Sequence, residues 1–123
     1  MGNGLIVGAG PVGLAAALFL ARQGHRVRIV EQASARAGES RALAVNPRTL
    51  DLLEESGVAA AMLDIGRPIR RLIAGDGQHE LAVIPLSELD HRHQFLLALS
   101  QAVTERLLEH ELASNGVIVE YGV

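Results

Sequence analysis

The chain has 123 residues, 49% of them hydrophobic, with a formal net charge of −3 and no cysteine, which is enough for one domain with a real core and excludes a disordered chain. All 11 basic residues are arginine and only 2% of residues are aromatic. There is thus no basic surface for polyanions and no stacking platform for bases, which excludes nucleic acid and acidic membranes as partners. The lack of cysteine excludes a disulfide framework, a thiolate nucleophile and a cysteine-based metal site, and is compatible with a reducing compartment.

The first element is the apolar run Leu5–Val7, too short for a helix and suited to a buried parallel strand, which ends at glycines. The wider apolar stretch from Leu5 to Ala21 has no basic leading segment and carries Gly-Ala-Gly-Pro in its interior. It also falls short of the roughly 18 to 20 apolar residues of a membrane span, so the reading is a soluble, cytoplasmic protein. Pro11 to Gln23 favours a helix, with proline in the first turn and Gly24 at a left-handed cap. Val27–Val30 follows as a second strand, closed by Glu31.

Residues 32–45, "QASARAGESRALAV", are polar and without period, as in a functional loop or linker. Asn46-Pro47 supplies an N-cap and a proline at the first helical position, and the helix carrying Leu50, Leu53 and Glu54 ends at Gly57. A short helical turn is expected over Ala59–Leu63. Ile69 to Leu86 reads as a hairpin, because "IRRLIA" and "HELAVI" flank Gly75-Asp76-Gly77. Leu96–Leu99 is a brief strand or helix entry. Ser100 caps a helix over Gln101–Ser114, with Val103, Leu107, Leu108 and Leu112 on its apolar face. Asn115-Gly116 stops it, and Val117–Val119 reads as a third buried strand.

The turn "VGAGPVGLAA" carries Gly8, Gly10 and Gly13 in the pattern G-x-G-x-x-G. The first glycine permits the tight turn, the second lets a pyrophosphate approach the backbone, and the third lets helix and strand pack closely. Pro11 and Val12 open the helix, whose unpaired amides and partial positive charge suit phosphate. Such a triplet alone is weak, and its bland alternative is a helix-packing glycine set beside a surface glutamate. Here it follows a strand, opens a helix and is answered by Glu31 at about the 20-residue spacing expected of a ribose-binding acid. The charge of Glu31 would repel a ribose phosphate, so an unphosphorylated adenosine is favoured over NADP. FAD and NAD both satisfy these residues.

Other chemistry is thin. His91 and His93 are two apart with no clear third ligand, so a polar loop is favoured and no metal is assigned. No G-x-S-x-G is present, and Asp76-Gly77 reads as a hairpin turn.

Three stretches, "GLIVGAGPVGLAAALFLARQGHRVRIVEQ", "GESRALAVNPRTLDLLEESGV" and "LSQAVTERLLEHELASNGVIVEYG", together resemble the FAD-dependent aromatic-ring monooxygenases, in particular the phenol hydroxylase and aromatic polyketide hydroxylase group. The resemblance implies an α/β, Rossmann-type FAD-binding domain with a parallel sheet over residues 1–123. Residues 68–86 would be a β-hairpin insertion from the start of the substrate domain, and the fold would be incomplete relative to the family. It implies FAD as cofactor, with the glycines, Pro11 and Val12 at the pyrophosphate, Glu31 at the ribose and Gln32 beside it. It also implies Arg41 over the pyrophosphate and ribose, where a guanidinium pairs with charged oxygens, and Gln101 on the flavin nucleotide.

In that family NAD(P)H is the transient reductant, oxygen is consumed and a small aromatic substrate is hydroxylated. Family members are several times longer, and their remaining motifs follow the point where this chain ends. None of these residues is therefore assigned as catalytic, and the chain is expected to be an amino-terminal fragment carrying the ADP half of the site, inactive alone. A sheet cut there leaves an exposed edge, and a homo-oligomer is the expected remedy. An NAD-binding half of a dehydrogenase explains the glycines and Glu31 but not the Arg41 segment or the hairpin. A non-catalytic nucleotide-binding fragment is the third reading.

Overall fold

The computed structural model describes residues 2–36 and 44–123. In chain order its elements are β1 (Asn3–Val7), α1 (Pro11–Arg22), β2 (Arg26–Glu31), β3 (Ala44–Val45), α2 (Pro47–Leu52), α3 (Val58–Ile65), β4 (Arg67–Ile69), β5 (Arg71–Gly75), β6 (Glu80–Pro85), β7 (Leu96–Ala98), α4 (Gln101–Ser114) and β8 (Glu120–Tyr121), with a 3-10 turn at Leu86–Glu88. They form two compact units, one from the described residues up to 36 together with 100–123, the other from 44–99.

The first unit is built on a parallel sheet of order β1-β2-β8. Val7 pairs with Val30, and the Gly8 N–H extends that ladder by donating to the Val30 carbonyl at 2.8 Å. A parallel pair needs a crossover, and α1 supplies it as the middle of a strand-helix-strand unit. Leu14, Ala17 and Leu18 lie three and four apart on α1 and are buried, as are Thr104, Leu108 and Leu112 on α4, the helix packed against it. Burying a leucine side chain in this way contributes about 1.5–3 kcal/mol. Gly24, at φ +88°, carries the chain from α1 into β2.

In the second unit, β7 is the centre of an antiparallel sheet of order β3-β7-β4. Leu50, Leu53, Val58, Ala59, Met62, Leu86 and Leu97 are buried. β5 and β6 form a separate two-stranded hairpin, exposed along its whole length, with a bulge at Ala74/Gly75. In its turn the Asp76 carboxylate accepts from the N–H groups of Gln78 (2.9 Å) and His79 (2.8 Å).

The sequence reading needs adjusting at three places. The third parallel strand is Glu120–Tyr121 rather than Val117–Val119, and Ile118 is 69% exposed between buried Val117 and Val119. β1 is likewise not buried on both faces, since Leu5 and Val7 are 62% and 80% exposed. This face of β1 is left uncovered, so a continuous apolar run does not mean two covered faces here. Finally, the helix expected to reach Gly57 stops at Leu52. Gly57, at φ +83°, instead starts α3, which is longer than the single turn expected there.

Candidate functional site

The three glycines of the turn after β1 have separate structural reasons. Gly8 sits at φ +104°, a left-handed conformation that costs a side-chain-bearing residue energy. A Cβ on Gly13 would stand 2.0 Å from the Gly8 carbonyl oxygen and 3.4 Å from Ile6 Cγ2, so only glycine lets α1 start this close to β1. Gly10 has ordinary extended angles, and a Cβ there would meet nothing within 4 Å. Among the described residues neither strain nor packing demands glycine at position 10, and the space beside it is open.

The start of α1 differs from those of α2 and α4, whose N-cap side chains accept a first-turn N–H. It is like that of α3 in having glycine as its N-cap, although at α3 the preceding serine meets the first amide. The Asn46 side chain accepts from Thr49 N–H at α2, the Ser56 hydroxyl from Val58 N–H at α3, and the Ser100 hydroxyl from Val103 N–H at α4. At α1 the N-cap is Gly10, no side chain caps the helix, and no acidic residue lies in its first turn. Pro11 has no N–H to satisfy, and Val12, 84% exposed, follows it. The first-turn amides of any helix lack intrahelical partners. The aligned peptide dipoles concentrate partial positive charge there, and among the described residues no side chain accepts from the first-turn amides.

Glu31, at the end of β2, meets this turn directly. One carboxylate oxygen accepts from Ala9 N–H at 3.1 Å and the other from Ala33 N–H at 2.9 Å. The Ala33 and Ala9 amides hold the Glu31 carboxyl below the ordinary carboxylate range, so it is ionised at neutral pH with lone pairs left over for hydroxyl donors. Gln32, next to it, is exposed. Gln101 is the first residue of α4 and half-buried. Arg41 lies outside the described residues. The fold thus brings Glu31 to the glycine turn through a hydrogen bond, while Gln101 stands on the neighbouring helix.

A residue that the sequence reading passed over completes the arrangement. The Arg36 guanidinium is 15% exposed and pairs with Glu105 at 3.1 Å and with Glu109. It also donates to the Tyr121 hydroxyl at 2.8 Å and approaches the Ala9 carbonyl at 3.4 Å. Tyr121 in turn donates to Glu109 at 2.9 Å. Burial opposes the charge on Arg36, but the hydrogen bond and charge of Glu109 outweigh it and raise its pKa. The available signal was on α4, where Glu105 and Glu109 stand four apart. Such a pair of like charges weakens an isolated helix and calls for a cation.

In the second unit, His91 and Arg92 bond to acidic residues in and just after α2. His91 Nε2 lies 2.5 Å from Asp51, and Arg92 reaches Asp51 at 2.8 Å and also pairs with Glu54. Among the described residues no group of three histidine or acidic side chains could hold a metal ion.

A strand, a glycine turn, an uncapped helix and an acid at the end of the next parallel strand define a dinucleotide-binding α/β protein. Comparison with known proteins narrows the class: the FAD binding domain family model matches residues 3–122, and the chain belongs to that family. FAD is therefore the dinucleotide of this fold.

The chain is 41% identical to a 6-methylpretetramide 4-monooxygenase of Streptomyces rimosus, over 97% of this chain and 22% of that protein. It is 31% identical to the pentachlorophenol 4-monooxygenase of Sphingobium chlorophenolicum, over 90% of this chain and 21% of that protein. The crystal structure of p-nitrophenol 4-monooxygenase from Pseudomonas putida superposes with a TM-score of 0.89 at 24% identity, covering 99% of this chain and 33% of that one, a likeness of fold. The chain spans about a fifth of the length of these two curated relatives.

Proposed function

We propose that this chain forms the ADP-binding half of the FAD site in a monooxygenase that hydroxylates a small aromatic substrate with NAD(P)H and oxygen. The observation that carries the reading is the uncapped start of α1 beside an ionised Glu31, joined to the monooxygenases among its relatives.

In this reading the open space at Gly10 admits the pyrophosphate to the backbone, and the Val12 and Gly13 amides donate to it. Pro11 fixes the first helical φ without presenting an unsatisfied donor. Glu31 accepts from the adenosine ribose, with Gln32 beside it, and Arg41 and Gln101 complete the nucleotide contacts. Bound FAD supplies the redox chemistry of hydroxylation, and these residues bind and orient its adenosine end. The hairpin β5–β6, within residues 68–86, is the beginning of the substrate-binding region. No helix among the described residues is long and apolar enough to cross a membrane, and we assign the protein to the cytoplasm.

The absorption spectrum of the purified chain after incubation with FAD and gel filtration tests the reading. Retained flavin near one per chain supports it. Tight binding of NADH with no binding of FAD would overturn it in favour of a dehydrogenase half.

A further inference from the structure

Ala9, between the first two glycines of the turn, is held on both sides of its backbone. Its N–H donates to Glu31 at 3.1 Å, and its carbonyl faces the Arg36 guanidinium at 3.4 Å. Ala9 itself is only 4% exposed. Arg36 cannot swing freely, because Glu105, Glu109 and Tyr121 fix the other edges of its fork. The Ala9–Gly10 peptide is planar and trans, no cis bond being present among the described residues. Fixing the Ala9 carbonyl therefore also fixes the direction of the Gly10 N–H, which points the opposite way. Gly10 has no side chain, and its backbone angles alone would let that peptide plane rotate.

We infer that Arg36 is a positioning residue for the pyrophosphate of FAD, locking the Ala9–Gly10 peptide so that the Gly10 amide is presented to the phosphates before the cofactor arrives. Its anchors are α4 and β8, so the order of those distant segments is transmitted to the glycine turn. Arg36 also offsets the two carboxylates of α4, which would otherwise add negative charge on the side of the Ala9 carbonyl. The inference rests on the FAD reading above and assigns a task to a side chain outside the glycine motif.

The role is specific to phosphate, and that makes it separable from a contribution to folding. Dissociation constants are measured for FAD and ADP, and for adenosine by displacement, on the wild-type chain and on Arg36→Gln and Arg36→Lys, with circular dichroism checking that each is folded. Arg36→Gln is expected to weaken FAD and ADP about tenfold, the scale of one lost hydrogen bond in an ordered site, and to leave adenosine unchanged. Arg36→Lys is expected not to restore binding, because a single ammonium cannot hold the Ala9 carbonyl and the α4 carboxylates together.

Equal weakening of ADP and adenosine, full rescue by lysine, or unchanged ADP affinity would each overturn the inference while leaving the FAD reading standing. A wild-type chain that binds neither FAD nor ADP would overturn that reading and the inference with it. Should Arg36→Gln fail to fold, Glu109→Gln keeps the test open. It leaves Arg36 with Glu105 and Tyr121, and a smaller loss selective for ADP is expected, with no selectivity counting against the role.

Discussion

The starts of α1 and α2 look alike in sequence, each with a proline at the first helical position, yet they end their backbone donors in different ways. At α2 the Asn46 side chain accepts from Thr49 N–H at 2.9 Å, so the protein itself answers the helix start. At α1 the corresponding residue is Gly10, without a side chain, beside space that a Cβ would not fill. A serine, asparagine or aspartate there would be a better N-cap than glycine by roughly a few tenths of a kcal/mol. In the proposed site, leaving the cap off forgoes that stability and keeps the amides for an outside anion. On the proposed reading, the difference separates a helix start closed by the fold from one left open for a ligand.

Gly13→Ala breaks the comparison most severely, because its methyl would collide with the Gly8 carbonyl at 2.0 Å. Overpacking of this kind costs typically 1–3 kcal/mol, and a backbone atom cannot move aside as a side-chain tip can. We expect a loss of about 3 kcal/mol in urea unfolding together with loss of FAD binding. Gly10→Asp is the reverse case. The backbone angles accept any residue and the space is open, so the new carboxylate caps α1 and adds a few tenths of a kcal/mol. The same carboxylate occupies the phosphate amides and repels the anion, and FAD affinity should fall on the order of 100-fold. A variant that becomes less stable, or one that still binds FAD, would show that the open helix start has another cause.

A smaller effect is expected at Glu31. Glu31→Gln exchanges an ionised acceptor pair for one carbonyl oxygen, and FAD affinity should fall about tenfold. The pH dependence follows from the sign of the shift. The Ala33 and Ala9 amides lower the folded-state pKa of Glu31, so its stabilising bonds are complete above the ordinary carboxylate value and are lost as pH falls through the lowered one. FAD affinity in the wild type should therefore be level from neutral pH to about 5 and decline only below about 4. A decline centred near neutral pH in a binding titration would assign the dependence to another group.

Tyr121 supplies an independent optical reading of the cluster beside this turn, since the chain has one tyrosine and no tryptophan. Burial and the Glu109 hydrogen bond raise its pKa. Glu109→Gln should bring its ultraviolet titration back toward the ordinary value of about 10, whereas an unchanged curve would mean that Glu109 does not hold the hydroxyl in solution.

These features were unequally legible in the sequence. The unit β1–α1–β2 was readable because each constraint on it is local: a glycine at positive φ, a glycine packed against Gly8, and an acid at the strand end. β3 and β4 were not, because strands of two and three residues have no period to detect, and Pro68 argues against a strand by its missing donor. The shift of the third strand to Glu120–Tyr121 escaped for a different reason. Val117–Val119 is the more apolar run, but pairing is set by register with Val30 and Glu31. Arg36 was hidden in a polar stretch, since its partner Glu109 is 73 residues away and a like-charged pair on a helix signals a cation without naming it.

The mildest change completes the comparison with which the two helix starts began. Asn46→Ala removes the cap from α2 and should cost about 1 kcal/mol in unfolding experiments. Because Thr49 N–H is answered by the protein and not by a ligand, no change in FAD affinity accompanies that loss. Stability and affinity thus move separately at the two sites: Gly10→Asp gains a little stability and loses binding, while Asn46→Ala loses stability and keeps binding. If Asn46→Ala also weakened FAD in a chain still folded, the start of α2 would belong to the cofactor site, and the division between capped and open helices would no longer mark where the ligand sits.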